Sequence, residues 1–328
     1  MRNGKRQTEN PVSFVMSSEP EVSVIIPTYN RSSLLRDAVN SVLDQDTSIT
    51  FEIIVVDNNS KDDTAAVVQS LMDQHLGRIS YILETQQGNA HARNRGVKSA
   101  RGAIIAFLDD DVIVERNWLA SLKQALDSRA DLAFVGGKVL PQWDGPPPSW
   151  LTPDHWAPLA LLDYGPDELT IGGNSPRGLL TANIAFRKSV FDETGAFSPH
   201  LQRVKNAIGS MEDTEFLLRV CRSGKHGIYL PGMIARAPVE SERLTKSYHR
   251  RWHTGHGHFY AVMRDPEWER SSFRIAGVPG HLYKQTLSAA LNWLKRTISG
   301  NADAAFTQEC RLRFFAGFFR QRRRQKAI

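Results

Sequence analysis

Residues 103–114, Ala-Ile-Ile-Ala-Phe-Leu-Asp-Asp-Asp-Val-Ile-Val, join an apolar run to a cluster of charges. The apolar residues are typical of a buried strand, and three consecutive carboxylates follow at its end, Asp109, Asp110 and Asp111. Three anions packed against a buried sheet are costly unless a cation gathers their oxygens. A hard divalent metal would serve, and it could in turn hold a diphosphate. A solvated acidic turn is the alternative that this tripeptide by itself leaves open.

Short apolar runs and helical patterns alternate through the first half of the chain. Residues 22–26, 52–56 and 79–83 are predicted strands, and apolar residues at helical spacing predict helices over 34–43 and 67–72 between them. Such alternation indicates an α/β fold with a mostly parallel sheet. Ligands of such sheets bind beyond the carboxyl ends of the strands. The three aspartates are expected at such an end.

The second half of the chain is less regular. Residues 141–178 are rich in turn residues and tryptophans and predict a loop-rich wall beside the ligand site. A helix is predicted to begin near Met211, because acids occupy its first turn and apolar residues recur on one side. Three parts follow from this organisation: a flexible segment over 1–20, a main domain over 21–255 and a helical, basic extension over 256–328.

Length and composition are those of a globular protein, with 328 residues of which 41% are hydrophobic. The two cysteines, Cys221 and Cys310, provide no disulfide framework, which agrees with a reducing compartment. The first twenty residues are polar, and no later apolar run reaches the length of a spanning helix. We therefore expect a cytoplasmic protein.

The positive charge is concentrated at the end of the chain. The formal net charge is +6, and the last eighteen residues hold seven cations and no acid: Arg311, Arg313, Arg320, Arg322, Arg323, Arg324 and Lys326. Without these seven the net charge falls to −1. This distribution argues against a chain-wide nucleic-acid surface, so no nucleic acid is expected as a partner.

Several motifs, in a shared order, resemble the inverting family 2 glycosyltransferases, which have a GT-A fold and use nucleotide-diphosphate sugars. The resembling segments are Val-Ile-Ile-Pro-Thr-Tyr-Asn-Arg at 24–31, Val-Val-Asp-Asn-Asn-Ser at 55–60, Gly-Asn-Ala-His-Ala-Arg-Asn-Arg-Gly at 88–96, Phe-Leu-Asp-Asp-Asp at 107–111, Leu-Thr-Ala-Asn-Ile-Ala-Phe-Arg-Lys at 180–188, Gly-Ala-Phe at 195–197 and Glu-Asp at 212–213. The resemblance covers about 22–255. It implies a single Rossmann-like domain, with a donor half over about 21–137 and an acceptor half over about 138–255.

The resemblance also implies which residues bind the donor. The turn after the first strand and the acid after the second would hold the base and the ribose, a task that suits a carboxylate because it accepts hydrogen bonds from imide and hydroxyl groups. The expected donor-binding residues are Pro27, Thr28, Tyr29, Asn30, Asp57, Asn59, Arg93, Asp109 and Asp110. Ordinary turn chemistry at Tyr29 and Asn30, and a helix cap at Asp57, are the alternatives that the local pattern leaves open.

The resemblance also implies the metal ligands and the catalytic base. Asp109 and Asp111 match the Asp-x-Asp motif, in which Asp111 would bind Mg²⁺ or Mn²⁺ and Asp109 would lie toward ribose and metal. The metal would stabilise the departing nucleoside diphosphate as a Lewis acid. Asp213 matches the catalytic base, although acids also favour a helix N-terminus without any catalytic role. The acceptor-side candidates are Trp150, Asn183, Glu212 and Arg251.

At one position the chain departs from the family pattern. Many members have a metal-binding His about eight residues before the Leu-Thr that Leu244 and Thr245 resemble, and Ala237 stands at that place. Four histidines follow instead: His249, His253, His256 and His258. One of them is a candidate replacement ligand, since imidazole binds metals. The alternative is a surface of arginine and histidine that binds phosphate or lipid diphosphate.

The C-terminal segment alternates aromatic residues with arginines. Phe314, Phe315, Phe318 and Phe319 would form one apolar stripe of a helix flanked by cations. Such a helix suits an interfacial anchor, and we expect peripheral contact with an anionic membrane through 311–326. The alternative is a helix whose aromatic side chains pack on the catalytic domain.

Together with the family resemblance, these patterns predict a metal-dependent, inverting, hexosyltransferase-like enzyme at the inner membrane face. It would transfer one sugar from a UDP- or dTDP-linked donor to a glycan or lipid-linked acceptor, in surface polysaccharide or glycolipid assembly. A catalytically silent glycan-binding scaffold is the first alternative. A sugar-nucleotide nucleotidyltransferase is less favoured, because Pro-Thr-Tyr-Asn at 27–30 replaces the glycine-rich phosphate loop expected after its first strand.

Overall fold

The computed structural model of the chain describes residues 19–174, 176–202 and 208–326, so the segment expected to be flexible over 1–20 lies almost wholly outside the described residues. The strands are β1 Val22–Thr28, β2 Phe51–Asp57, β3 Ile79–Leu83, β4 Ile104–Phe107, β5 Ile113–Val114, β6 Leu132–Gln142, β7 Leu169–Ile171, β8 Ile184–Arg187, β9 His226–Pro238, β10 Arg274–Ile275 and β11 Val278–Pro279. The helices are α1 Ser32–Leu43, α2 Thr64–Gln74, α3 Asn89–Ser99, α4 Trp118–Ser128, α5 Ser189–Thr194, α6 Glu212–Arg222, α7 Lys246–Met263, α8 Pro266–Glu269, α9 Gly280–Ile298 and α10 Ala302–Lys326.

The first half of the central sheet is parallel, as its apolar runs predict. Strands β3, β2, β1 and β4 lie side by side in that order, and all seven residues of β1 are buried. Successive side chains of a strand point to opposite faces, so Val24 and Ile26 join one core while Ile25 joins the core on the other face. Helices therefore cover both faces, and the carboxyl ends of β1, β2 and β4 open at one edge.

The second half of the sheet is mixed. Strand β8 is antiparallel to both β4 and β6, β6 is parallel to β9, and β5 and β7 are antiparallel to β9. The apolar runs did not predict β9, because glycines and a proline interrupt its apolar pattern. Its register with β6 shifts between Gly136 and Lys138. This irregular strand pair forms one wall beside the strand ends.

Helices α7, α9 and α10 form the C-terminal part of the described chain. Helix α7 continues without a break through residue 255, so the boundary proposed there falls inside a helix. On α10, Phe315 and Phe318 are buried against Ala261 of α7 and Leu282 of α9. The buried aromatic residues therefore pack within the protein, on helices of the predicted extension, whereas the alternative that the sequence left open had them pack on the catalytic domain.

The cations of α10 divide into two groups. Arg322 is buried and pairs with Glu269, whereas the others with a described side chain are exposed: Arg311, Arg313, Arg320, Arg323 and Arg324. The basic surface predicted from the sequence thus remains accessible. None of the helices in the described ranges has both the length and the apolar character needed to cross a membrane.

Helices α7 and α10 approach each other closely at two glycines. A Cβ on Gly257 would collide with the carbonyl oxygen of Phe314, and a Cβ on Gly317 would collide with that of Thr254. We expect Gly257→Ala to lower the free energy of unfolding by about 1–3 kcal/mol, because overpacking outweighs the gain in helix propensity. Urea unfolding would measure this loss.

Gly232→Ala in β9 is the matched control, because a Cβ there meets no atom within 4 Å. Its free energy of unfolding should stay within about 0.5 kcal/mol of the wild-type value. Equal stability of Gly257→Ala and the wild-type protein would contradict a tight helix crossing at this glycine.

Candidate active site

A cleft of about 1050 Å³ opens at the carboxyl ends of β1 and β4 and extends to the N-terminus of α6 and to α7. Nine of the residues predicted from the sequence line it: Pro27, Thr28, Tyr29, Arg93, Asp109, Asp110, Asp111, Glu212 and Asp213. The fold thus places the acids that follow β4 and the acids that begin α6 in one cavity, although about a hundred residues separate them in sequence.

The three consecutive aspartates have different surroundings. Asp110 is buried, and its Oδ2 accepts a hydrogen bond from Thr28 Oγ1 at 2.7 Å. Arg31 donates from Nη1 to Asp111, and this Nη1 lies 3.4 Å from Asp110 Oδ1. Burial raises the pKa of Asp110 to about 7, and it raises the pKa of Asp111 although Arg31 opposes the shift. Burial at this end of the cleft thus opposes ionisation of both carboxyls, and Arg31 only partly offsets that cost.

Arg93 of α3 connects the two acidic ends of the cleft. Its guanidinium is only 3% exposed, with Nη2 3.2 Å from Asp109 Oδ1 and Nη1 3.1 Å from Glu212 Oε1. Asp109 is the more exposed of these two carboxylates. One buried cation thus fixes the strand-end acid relative to the helix that contains Glu212 and Asp213.

Glu212 and Asp213 occupy the first turn of α6. Asp213 Oδ1 accepts a hydrogen bond from the backbone N–H of Thr214 at 2.7 Å. Burial raises the pKa of both carboxyls, and Arg93 opposes the rise. A carboxylate whose pKa is above its usual range is a stronger general base than an ordinary aspartate.

Three of the predicted donor-binding residues shape the turns beside the cleft and do not line it. Asn30 and Asn59 have positive φ angles of 52° and 67°, and Asn30 Oδ1 accepts from the Lys61 backbone N–H at 2.7 Å. Asp57 is buried and accepts hydrogen bonds from Ser60 N at 2.8 Å and from Tyr81 Oη at 2.7 Å. Turn chemistry, the alternative left open for Asn30, accounts for its contact, whereas Asp57 does not cap α2, whose N-cap is Asp63.

Three acceptor-side candidates also lie outside the cleft lining. Trp150 packs edge-on against His249 and Phe306, with ring centroids 5.0 and 5.1 Å away. Asn183 is buried, accepts from Trp118 Nε1 and donates to two backbone carbonyls, which gives it a structural role. Arg251 is exposed on α7. Of the four candidates, Glu212 alone lines the cleft.

Three arginines that line the cleft were not among the predicted site residues, and one of them, Arg222, forms an ion pair with Asp265. Arg31 follows the turn after β1, and the need for a counter-charge beside buried aspartates is the signal that could have identified it. Arg243 lines the cleft near α7, where its Nη2 donates to the carbonyl oxygen of Pro158 at 3.0 Å. The guanidiniums of Arg31 and Arg243 offer donors that suit phosphate oxygens.

His256 is the one histidine of the group 249, 253, 256 and 258 that lines the cleft. Its ring stacks on Trp252 with the centroids 4.3 Å apart, and burial lowers its pKa to about 3. The imidazole is therefore neutral near pH 7, which is the form that binds metals. Ala237 lines the same cleft, whereas His249 is enclosed by aromatic rings away from it.

The acidic end of the cleft fits a divalent cation. Within the described ranges, no three His, Cys, Asp or Glu side chains are arranged as a complete metal site. Mg²⁺ does not require one, because it commonly takes one or two carboxylates and draws its other ligands from phosphates and water. Asp109 and Asp111 supply two such carboxylates on one cleft.

The fold and the cleft define an α/β protein with an acidic ligand site at the ends of parallel strands. The sequence model of the Glycosyl transferase family 2 matches residues 23–195, so the chain belongs to this family. The match and the sheet described above confirm the α/β, GT-A fold that the sequence predicted.

Two curated relatives share parts of the sequence. Glycosyltransferase AglE of Haloferax volcanii is 30% identical over 187 residues, which are 56% of this chain and 58% of the relative. The GalNAc(5)-diNAcBac-PP-undecaprenol beta-1,3-glucosyltransferase of Campylobacter jejuni is 40% identical over 128 residues, 38% of this chain and 40% of the relative. The chain thus spans about half the length of the curated relatives it matches.

A solved structure shares the fold over most of the chain. The mannosyltransferase PcManGT from Pyrobaculum calidifontis, in complex with GDP-Man and Mn²⁺, superposes with a TM-score of 0.56 at 18% identity. The similarity covers 91% of this chain and 88% of that one. At this level of identity the likeness concerns the fold alone.

Removing Arg93 should destabilise the protein in a pH-dependent way. In Arg93→Met, Glu212 loses its cation, so the folded-state pKa values at the start of α6 rise further above the unfolded value. A carboxyl with a raised folded-state pKa costs stability as pH rises above the unfolded pKa, near 4.5 for Glu212. We expect losses of about 3–5 kcal/mol at pH 8 and less at pH 5, measured by denaturant unfolding.

Arg129→Met is the control, because its ion pair with Glu168 lies at the surface. Its loss should stay below about 1 kcal/mol at both pH values. A loss in Arg93→Met that equals that of Arg129→Met, or that does not grow between pH 5 and pH 8, would contradict a buried bridging role for Arg93.

Proposed function

We propose that the protein is a metal-dependent, inverting glycosyltransferase that transfers one sugar from a nucleotide-diphosphate sugar to an acceptor hydroxyl. One observation carries this proposal: Arg93 bridges Asp109 and Glu212, so the acids after β4 and the acids at the start of α6 face a single cleft. The acids after β4 would bind the donor and an acid at the start of α6 would act as the base, so the transferred sugar would lie between them.

The reaction would need one base and a stabilised leaving group. Asp213 accepts the proton of the acceptor hydroxyl while that oxygen attacks the anomeric carbon from the face opposite the diphosphate. The bond between the anomeric carbon and the diphosphate oxygen breaks, and its electron pair leaves with the nucleoside diphosphate. Burial of Asp213, which raises its pKa, supports the assignment of this residue as the base.

The cations of the cleft would hold the leaving diphosphate. Arg31 and Arg243 both line the cleft and present guanidinium donors to it. Asp109 and Asp111 would hold Mg²⁺ or Mn²⁺, which when bound supplies Lewis-acid stabilisation of the growing charge. His256 lines the same cleft and is neutral, but in the described ranges it does not form a three-ligand group with Asp109 and Asp111. Phosphate and water oxygens would therefore complete the coordination in place of the ligand that Ala237 does not provide.

The nucleotide of the donor would bind at the ends of β1 and β2. Thr28 and Tyr29 line the cleft at the end of β1, and Asp57 shapes the turn after β2 beside them. We propose that this edge binds the nucleotide of a UDP- or dTDP-linked sugar. The neighbouring mannosyltransferase structure contains GDP-Man, so a donor panel must include guanosine as well as uridine and thymidine nucleotides.

A lipid-linked or glycan acceptor is the second part of the proposal. The name of the Campylobacter jejuni relative includes a PP-undecaprenol acceptor, and the exposed arginines of α10 would attract anionic headgroups. Glu212 would position the acceptor, because its Oε2 is buried without a hydrogen-bond partner among the described residues. We therefore place the reaction at the cytosolic membrane face, in assembly of surface polysaccharide or glycolipid.

Asp213→Asn should abolish most of the transfer without loss of donor binding. Removing the general base should lower turnover about 10²–10⁴-fold, measured as Mn²⁺-dependent release of nucleoside diphosphate from a sugar-nucleotide panel. Glu215→Gln is the matched control, because Glu215 lies in the same helix, pairs with Arg219 and does not line the cleft. Full activity in Asp213→Asn would refute the assignment of the base.

Asp111→Asn should remove the metal-dependent part of donor binding. In the wild-type protein, donor plus Mn²⁺ should raise the melting temperature more than donor alone, because ligands of the folded state stabilise it. The variant should lose that extra shift, while Asp63→Asn at an exposed helix N-cap should keep it. Donor binding without turnover in any condition would favour the catalytically silent glycan-binding scaffold.

A further inference from the structure

Helix α9 exposes a continuous apolar stripe. Leu287, Leu291, Leu294 and Ile298 have exposed fractions of 61%, 59%, 49% and 78%. Their spacing of four, three and four residues puts them on one face of the helix. The buried residues of α9, Leu282 and Ala289, belong to the face that packs on the protein, so the stripe points away from the core.

The charged side chains of helix α9 have one sign. Helix α9 contains no Asp or Glu, whereas Lys284, Lys295 and Arg296 are exposed on it. Lys284 precedes Leu287 by three residues and Lys295 follows Leu291 by four, so both ammonium groups border the stripe. An apolar face with cations beside it is complementary to a surface that is apolar within and anionic at its boundary.

The apolar surface extends beyond the helix at its N-terminal end. The β10–β11 hairpin exposes Phe273 and Ile275. Tyr283 of α9 donates from Oη to the carbonyl oxygen of Ile275 at 3.0 Å, which ties the hairpin to the helix beside the stripe. The exposed apolar residues therefore form one surface from Phe273 to Ile298, which we name the α9 surface.

We propose that the α9 surface is where the protein binds an anionic lipid bilayer. The leucine stripe would enter the region between headgroups and acyl chains, and Lys284 and Lys295 would meet lipid phosphates. This inference differs from contact through 311–326, because the buried aromatic residues of α10 cannot reach a membrane. It does not depend on the sugar-transfer reaction.

A second copy of the chain fits this surface less well. The stripe spans less than two heptads, and coiled coils are indicated by three to four. Pairing of two α9 helices would also bring Lys284 and Lys295 toward the same residues of the partner, with no acid on the helix to balance them. A bilayer with anionic lipids would cover the short apolar stripe and would offset the charge of the two lysines.

The position of α9 links the proposed membrane contact to the cleft. Helix α7 supplies Trp252, His256 and Tyr260 to the cleft lining. Helix α10 packs along α7 and also along α9. The α9 surface thus belongs to the same packed group of helices that supplies one wall of the cleft.

Co-sedimentation with vesicles tests the proposal. The full chain should bind vesicles of phosphatidylcholine with phosphatidylglycerol and bind pure phosphatidylcholine more weakly. Leu287→Ser/Leu291→Ser/Leu294→Ser should lower partitioning at least about tenfold, because apolar side chains leave the bilayer. Lys284→Gln/Lys295→Gln should lower binding to the anionic vesicles by about 25-fold, or fivefold for each lysine.

Controls separate this contact from the alternatives. Leu291→Ser alone should weaken binding, whereas Leu76→Ser, which removes a leucine 84% exposed elsewhere, should not. Leu291→Ser and Leu76→Ser should both keep the wild-type melting temperature.

Two outcomes would overturn the α9 proposal. Unchanged binding in the triple leucine variant, with loss in Arg320→Gln/Arg323→Gln/Arg324→Gln, would leave membrane contact through α10. Wild-type self-association that the triple variant abolishes, without vesicle binding, would also overturn the proposal and indicate a second copy as the occupant.

Discussion

The cost of burying carboxylates at the edge of the sheet is the constraint on which this site depends. Two arginines offset that cost: Arg31 beside Asp111, and Arg93 between Asp109 and Glu212. Breaking a buried ion pair leaves an uncompensated charge. The contacts of Arg93 with its two carboxylates are therefore kept, and they hold these carboxylates at a fixed separation. Because it contacts acids from β4 and α6, the two halves of the cleft keep one relative position.

The same charge balance gives the site its chemistry. Burial raises the pKa of Asp110, Asp111 and Asp213, and the nearby arginines only partly oppose it. At the strand end, a bound cation would stabilise the ionised form of Asp111 and would hold a diphosphate. At the start of α6, the raised pKa of Asp213 favours its role as a proton acceptor. A single electrostatic arrangement therefore supports the two different tasks of the proposed transfer.

The C-terminal helices connect that site to the surface of the molecule. Helix α10 as a whole is only weakly amphipathic, and its aromatic residues Phe315 and Phe318 fill a core against α7 and α9. The apolar face left exposed is that of α9, which is the more amphipathic of the two helices. Periodicity shows that a helix has an apolar face. It does not show whether that face meets protein, lipid or water.

The sequence by itself determined the parallel half of the sheet and the order of the family motifs, because apolar runs and turn residues are local signals. It also identified nine residues of the cleft lining, the three consecutive aspartates among them, since the ends of parallel strands converge at one edge. Only the tertiary structure revealed β9, the counter-ion role of Arg31 and the structural role of Asn183, which bonds to Trp118 and two distant carbonyls. Such roles depend on burial and on contacts between residues far apart in sequence, and no local pattern records them.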